Sequence, residues 1–411
     1  MKRAVITGLG VVSPIGNSID EFWSNIVAGK HGFSLGNWFP GQSEEENVFA
    51  DVKDFDPSEY IDKKERRRID LLTQYAVYAA KKALEDSGSD FKDLDPYRCG
   101  VIVGSGIGGL HTTEEQILTY HNKSNQRVSV FTIPMMIGNM AAGTIAIKTG
   151  FKGINYCPVS ACSSGAHAVG EAFRAIKSGS ADVMLAGGAE ACRVGFAFAG
   201  FNNMHAITKS TDVNRASIPF DKERSGFVLG DGAGVLVIEE YEHAKARGAK
   251  IYAELAGYGA TCDAYHETSP DPSGEGGAKA MELAVKEANV PFEQINYINA
   301  HGTSTALNDR TETAAVKLAF GEHAKKLVMN STKSLTGHLL GAAGGVESIA
   351  VCLQIKNGLV HATAGLQVDD PECDLDNCKG ENRKMEITGA VSNSLGFGGH
   401  NVSLCFLPVE D

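Results

Sequence analysis

The chain has 411 residues, 43% of them hydrophobic and 21% charged, enough to bury a large core and to form two domain-sized units of an ordinary globular protein. A formal net charge of -12 excludes non-specific nucleic-acid binding, which needs a basic surface, and no apolar run approaches the roughly 20 residues that cross a membrane. The nine cysteines lie mostly in apolar runs and contain no C-x-x-C pair, a pattern of free thiols in a reducing, cytoplasmic compartment and not of disulfides or a zinc site.

In chain order, RAVITGLG reads as a strand entered directly from the N-terminus, with no leader segment expected. Its continuation, TGLGVVSPIG, invites a dinucleotide reading. Ser13, however, stands where the third glycine of G-x-G-x-x-G belongs, and no acidic residue ends a second strand about 20 residues on. No nicotinamide or flavin cofactor is therefore expected. IDKKERRRID then concentrates Lys63, Lys64, Arg66, Arg67 and Arg68 on a stretch of helical composition, either a solvated face or a docking patch for an acidic partner. LLTQYAVYAAKKALEDSG has helical spacing that stops at Gly88, and RCGVIVGSG reads as the next strand.

VSACSSG, residues 159–165, places Cys162 at the first turn of a helix running to about Lys177, with Val169, Ala172, Phe173 and Ile176 on its buried face. Unpaired N–H groups and the partial positive charge of a helix start would lower a thiol's pKa. Ala161, Ser163, Ser164 and Gly165 would leave a substrate room, yet a lone cysteine among small residues also suits plain packing. ADVMLAGGAE and GAGVLVIEE read as strands, EEYEHAKARGAKIYAE as a joint between halves 1–247 and 248–411, and GAKAMELAVKEANV as a helix ending near Asn289.

INYINAHG is a strand that delivers His301, and STKSLTGHLLGAAGG carries Lys333 and His338, with Glu347 nine residues on. Each histidine alone could be a satisfied structural residue. Both, however, sit in glycine-rich strand-end contexts, unlike His111, His121, His243 and His323, which lie in polar stretches of surface character. Lys333 and Glu347 are charges in apolar surroundings, fit either to orient a histidine or to form a structural ion pair. After the strand ITGAVSNS, the loop NSLGFGGHN offers Phe397 as a gate and its N–H as an oxyanion donor, or else is a glycine turn with a packed ring; VSLCFLP is the last strand. This alternation implies α/β layers with buried, mostly parallel sheets.

A repeat organises these elements. Residues 159–179 set over 338–358 without a gap match Gly165 to Gly344, Ile176 to Ile355, Lys177 to Lys356 and Gly179 to Gly358. A weaker match sets VIVGSG over YINAHG. Two similar halves about a pseudo-twofold axis would bring Cys162, His301 and His338 together.

With these residues assembled, the chain resembles the β-ketoacyl-acyl-carrier-protein synthases, synthase II group, of the thiolase superfamily. The resemblance runs from VITGLGVVSPIG to SNSLGFGGHN and is most specific at SACSSG, NAHGTSTALND, STKSLTGHLLGAAG and GFVLGDGAGVLVIEE. It implies a five-layer αβαβα fold in two duplicated halves, an obligate homodimer, and a decarboxylative condensation of an acyl group with malonyl-acyl carrier protein. On that resemblance Cys162 takes the acyl group, and its N–H with that of Phe397 forms the oxyanion hole. His301 and His338 hold the malonyl thioester, while Lys333 and Glu347 support them. Ile107 and Phe201 match acyl-pocket positions; Thr268, Thr303 and Thr305 match the pantetheine channel beside Phe397, Gly398 and Gly399. Lys64, Arg67, Arg68 and Arg127 become docking candidates for the acidic acyl carrier protein.

The chain departs from the family pattern at Thr132, Val128 and His400, positions that bear on acyl-chain length and carrier preference. A ketosynthase of a type II polyketide or aryl polyene pathway would share every catalytic residue, whereas a non-catalytic chain-length subunit would lack Cys162. A thiolase would carry a second cysteine near Phe397, and a type III synthase an asparagine in place of one histidine.

Overall fold

The computed structural model describes residues 2–38, 46–122 and 127–409. Its main sheet has ten strands: β1 (Ala4–Val12), β2 (Cys99–Gly104), β3 (Asn155–Tyr156), β4 (Val183–Glu190), β5 (Gly232–Glu240), β6 (Ala253–Cys262), β7 (Tyr297–Asn299), β8 (Val328–Asn330), β9 (Ala390–Gly396) and β10 (His400–Leu407). The helices that position the site are α1 (Leu71–Ser87), α2 (Ser164–Lys177), α3 (Glu275–Ala288), α4 (Ala306–Phe320) and α5 (Ala343–Asn357). Among the described residues, no helix is long and apolar enough to cross a membrane.

The strand order is β8-β7-β9-β10-β6-β1-β5-β4-β2-β3. Read outward from the central β6/β1 pair, the two sides have the same construction. β1 runs antiparallel to β5, β5 antiparallel to β4, β4 parallel to β2 and β2 parallel to β3. On the other side β6, β10, β9, β7 and β8 follow with the same sequence of senses. The sides meet through a short antiparallel ladder in which Ala4 faces Leu255 and Ile6 faces Ala253. The expected mostly parallel sheet is therefore corrected to a mixed one: a tight turn folds β9 back onto β10, and a long connection that includes the helix Gly195–Asn203 returns β5 antiparallel to β4. Full burial had suggested parallel strands, but here it comes from helices on both faces.

α2 and α5 touch strands of both sides and form the middle layer, while α1 covers β1 and β5 and α3 covers β6 and β10. Five layers result. α1 begins at Asp70, whose carboxylate accepts the Leu72 N–H at 3.0 Å, and stops at Gly88 with φ +70°; α3 stops at Asn289 with φ +57°. The outer packing is repeated in detail. A Cβ at Gly10 of β1 would lie 1.9 Å from the Ala79 carbonyl of α1, and one at Gly259 of β6 would lie 1.9 Å from the Ala280 carbonyl of α3.

α2 and α5 each follow a 3₁₀ turn, Ala161–Ser163 and Leu340–Ala342, and in each turn the first residue has positive φ, +50° at Ala161 and +48° at Leu340. The ungapped repeat pairs these same residues. The two helices cross on glycine: a Cβ at Gly344 would meet the Ala166 nitrogen at 2.4 Å. Gly344→Ala should accordingly lose about 1–3 kcal/mol of stability through overpacking against backbone, read as a lower denaturant midpoint.

Candidate active site

Cys162 lies in the 3₁₀ turn ahead of α2, whose helical geometry starts at Ser164 and not at the cysteine. Its side chain is buried, with 8% of the residue exposed. The turn is fastened from both sides: Ser164 Oγ donates to the Ala161 carbonyl at 2.7 Å, and Ser163 Oγ donates to the Ser394 and His400 carbonyls at 3.1 and 2.8 Å. These last two bonds tie the cysteine turn to both ends of the loop that carries Phe397.

Burial pushes the Cys162 thiol up to about 12, with Glu190 acting in the same sense; Lys333 and the N–H groups of Phe397 and of Cys162 itself pull it down. The expected low thiol pKa is thus corrected, because desolvation outweighs the helix start.

His338 Nε2 lies 3.1 Å from Cys162 Sγ, and the His338 Nδ1 accepts the Leu340 N–H at 3.3 Å. His301 Nδ1 lies 3.3 Å from Lys333 Nζ. A backbone N–H and a lysine Nζ act there as donors, so both Nδ1 atoms are acceptors and both neutral rings carry their proton on Nε2. Burial, with Lys333 next, drives both imidazoles well below the ordinary histidine range. The rings stand at 86° with centroids 5.3 Å apart, and Phe227 packs edge-on against His338. Two neutral N–H donors beside a buried thiol suit the stabilisation of a developing oxyanion.

Lys333 is buried and paired with Glu347, whose carboxyl is pushed up to about 7 by burial and pulled back by Lys333. The sequence reading missed Glu312. Its carboxylate accepts the His301 and Gly302 N–H groups, each at 2.8 Å, and so fixes the loop after β7. Its signal was an acidic residue on the inner face of α4. Glu190, also missed, ends the wholly buried β4.

A cavity of about 650 Å³ opens onto Cys162, His301 and His338 and is lined also by Phe201, Thr268, Thr303, Thr305, Phe397 and Gly399. Thr303 and Thr305 hydroxyls bond each other at 2.8 Å. Gly398 and Gly399 have φ of +85° and +73°, and their N–H groups donate to the Glu267 and Gly396 carbonyls, which shapes the loop around Phe397. Ile107 is not brought into this lining: it follows β2 on the surface, 45% exposed. Of the basic run only Lys63–Arg66 is helical, capped by Asp62; Lys64, Arg67, Arg68 and Arg127 are exposed, and the Arg68 guanidinium lies 5.0 Å from the Phe131 ring centroid. His243 and His323, expected at the surface, are half-buried and bonded to Glu239 and to the Ile295 carbonyl. All nine cysteines are free and seven are buried.

Two family models match the chain: Beta-ketoacyl synthase, N-terminal domain, over residues 1–244, and Beta-ketoacyl synthase, C-terminal domain, over residues 252–367. A 3-oxoacyl-[acyl-carrier-protein] synthase 2 of Synechocystis sp. is 46% identical over 98% of both chains. A protein of the same name from Staphylococcus aureus is 47% identical over 100% of this chain and 99% of its own. Among solved structures, a type II polyketide ketosynthase in complex with its acyl-carrier protein superposes with a TM-score of 0.91 at 35% identity, and so does a beta-ketoacyl synthase from Burkholderia phymatum; each covers 100% of both chains.

Proposed function

The chain belongs to the beta-ketoacyl synthase family, and from that premise we propose a decarboxylative Claisen condensation between an acyl group on Cys162 and malonyl-acyl carrier protein. The product is 3-oxoacyl-acyl carrier protein, two carbons longer, as in fatty acid chain elongation. The observation that carries this reading is the buried thiol 3.1 Å from the His338 Nε2, with the His301 ring packed against His338 and all three groups lining one cavity.

In the first half-reaction the Cys162 sulfur attacks the acyl thioester. The S–C bond to Cys162 forms, the bond to the carrier's thiol breaks, and the cysteine proton leaves with that thiol. The Cys162 and Phe397 N–H groups stabilise the tetrahedral oxyanion; loss of one such donor costs about 3 kcal/mol of barrier. In the second, His301 and His338 donate to the malonyl thioester oxygen. The bond to the carboxylate breaks, carbon dioxide leaves, and the enolate carbon attacks the acyl-Cys162 carbonyl. The released Cys162 sulfur recovers a proton from solvent. Lys333 holds the His301 tautomer and Glu347 balances its charge. Thr268, Thr303 and Thr305 line the path of the pantetheine arm, with Phe397 as gate between Gly396 and the Gly398–Gly399 turn. Phe201 faces the acyl chain.

The carrier protein docks on Lys64, Arg67, Arg68 and Arg127, all exposed. The double variant Arg67→Glu, Arg68→Glu should raise KM for carrier-bound substrate about tenfold at low salt with little change in kcat; an unaltered KM returns the run to a solvated face. The active form is a homodimer of chains built from halves 1–247 and 248–411, a reading supported by the open edge of β3 and by strongly exposed apolar side chains, Val130 87%, Ile147 80%, Phe196 72% and Val159 68%. The compartment is the cytoplasm, where nine unpaired cysteines remain reduced. Incubation with acyl- and malonyl-loaded carrier protein, followed by intact mass of the carrier, tests the whole reading: a 3-oxoacyl product two carbons longer is expected, and hydrolysis without extension overturns it.

A further inference from the structure

Glu190 is wholly buried at the end of β4. Its Oε2 accepts the Gly106 N–H at 2.7 Å and the Gly341 N–H at 3.0 Å, and its Oε1 accepts the Ser105 hydroxyl at 2.7 Å and the Ile107 N–H at 3.4 Å. Gly341 is the residue that the repeat pairs with Cys162. Of two related helix starts, one has its N–H filled by an internal carboxylate and the other carries the candidate nucleophile. The tie also crosses the two sides of the fold, since Ser105–Ile107 follow β2 and Gly341 follows His338 by three residues. Neither the sequence resemblance nor the reaction steps above use this residue.

We infer that Glu190 is a positioning residue for the condensation: its carboxylate anchors the Gly341 turn, and hence His338, against the Ser105–Ile107 turn, and so holds the His338 ring beside the Cys162 sulfur. The inference rests on the condensing reading, because only that reading gives Cys162 and His338 separate tasks.

The test measures kcat and KM for condensation on the full chain. Glu190→Gln replaces one acceptor oxygen by a donor, and Glu190→Asp keeps both acceptors one methylene short. kcat should fall about a hundredfold in Glu190→Gln and at least tenfold in Glu190→Asp as His338 loses its placement, while KM for carrier-bound substrate stays within a few-fold. A merely structural role would not give that split. Full kcat in Glu190→Asp overturns the inference, as does a loss carried by KM alone, and Glu190→Asp decides alone if the glutamine protein does not fold. Failure of the condensing reading is distinct, since the unaltered chain itself would then form no extended product.

Discussion

Cys162→Ala abolishes acyl transfer from loaded carrier protein to the chain, lowering condensation by about 10⁵- to 10⁶-fold, the scale seen when a catalytic nucleophile is removed. The loss is this large because the remaining groups, two histidine N–H donors and two backbone N–H donors, can polarise a thioester but form no bond to it. Intact mass after incubation with acyl-loaded carrier reads the outcome: the unaltered chain gains the acyl mass and the variant does not. Folding should survive, since a buried cysteine behaves as a small apolar group and its replacement by alanine costs about 1 kcal/mol. The variant should also keep malonyl decarboxylation, because His301 and His338 remain in place. Unchanged condensation in this variant would sink the assignment of the nucleophile.

His301→Ala separates the two half-reactions. His301 contacts Lys333 and the His338 ring, whereas His338 Nε2 is the group in contact with the Cys162 sulfur. Acylation of Cys162 should stay within a few-fold of the unaltered chain. Decarboxylation of malonyl-carrier protein should fall by about 10²- to 10³-fold, the effect of losing one donor to a developing oxyanion. Carbon dioxide release and the mass of the acylated chain are measured on the same sample. If acylation fails and decarboxylation persists, the two histidines' roles have been assigned the wrong way round.

Much of this site was legible in the sequence. The ungapped match of 159–179 with 338–358 anticipated two turns of one construction, and both turns carry a positive-φ residue at the same repeat position, Ala161 and Leu340. Helix ends at Gly88 and Asn289 were legible because left-handed residues punctuate helices locally. His301 and His338 stood out because each lies beside glycine in an otherwise apolar stretch; His301 follows β7 as expected, whereas His338 follows the helical turn Lys333–Thr336 and not a strand, and both rings are buried. Strand sense was not legible: β4 and β5 are buried along their whole length although they run antiparallel, since covering helices erase the polar alternation that marks antiparallel pairs.

By itself, the amino-acid order determined the periodicities, the turn residues, the repeat and the chemical types that can attack, donate and pair: Cys162, His301, His338, Lys333 and Glu347. Only the tertiary structure decided their electrical state. Pattern predicted a thiol made acidic by a helix start, but enclosure raises it, because desolvation depends on every neighbour around the sulfur and not on the element that carries it. The same holds for Glu190. One acid at a strand end carries no signal until folding brings Gly106 and Gly341, from opposite sides of the sheet, onto a single carboxylate oxygen.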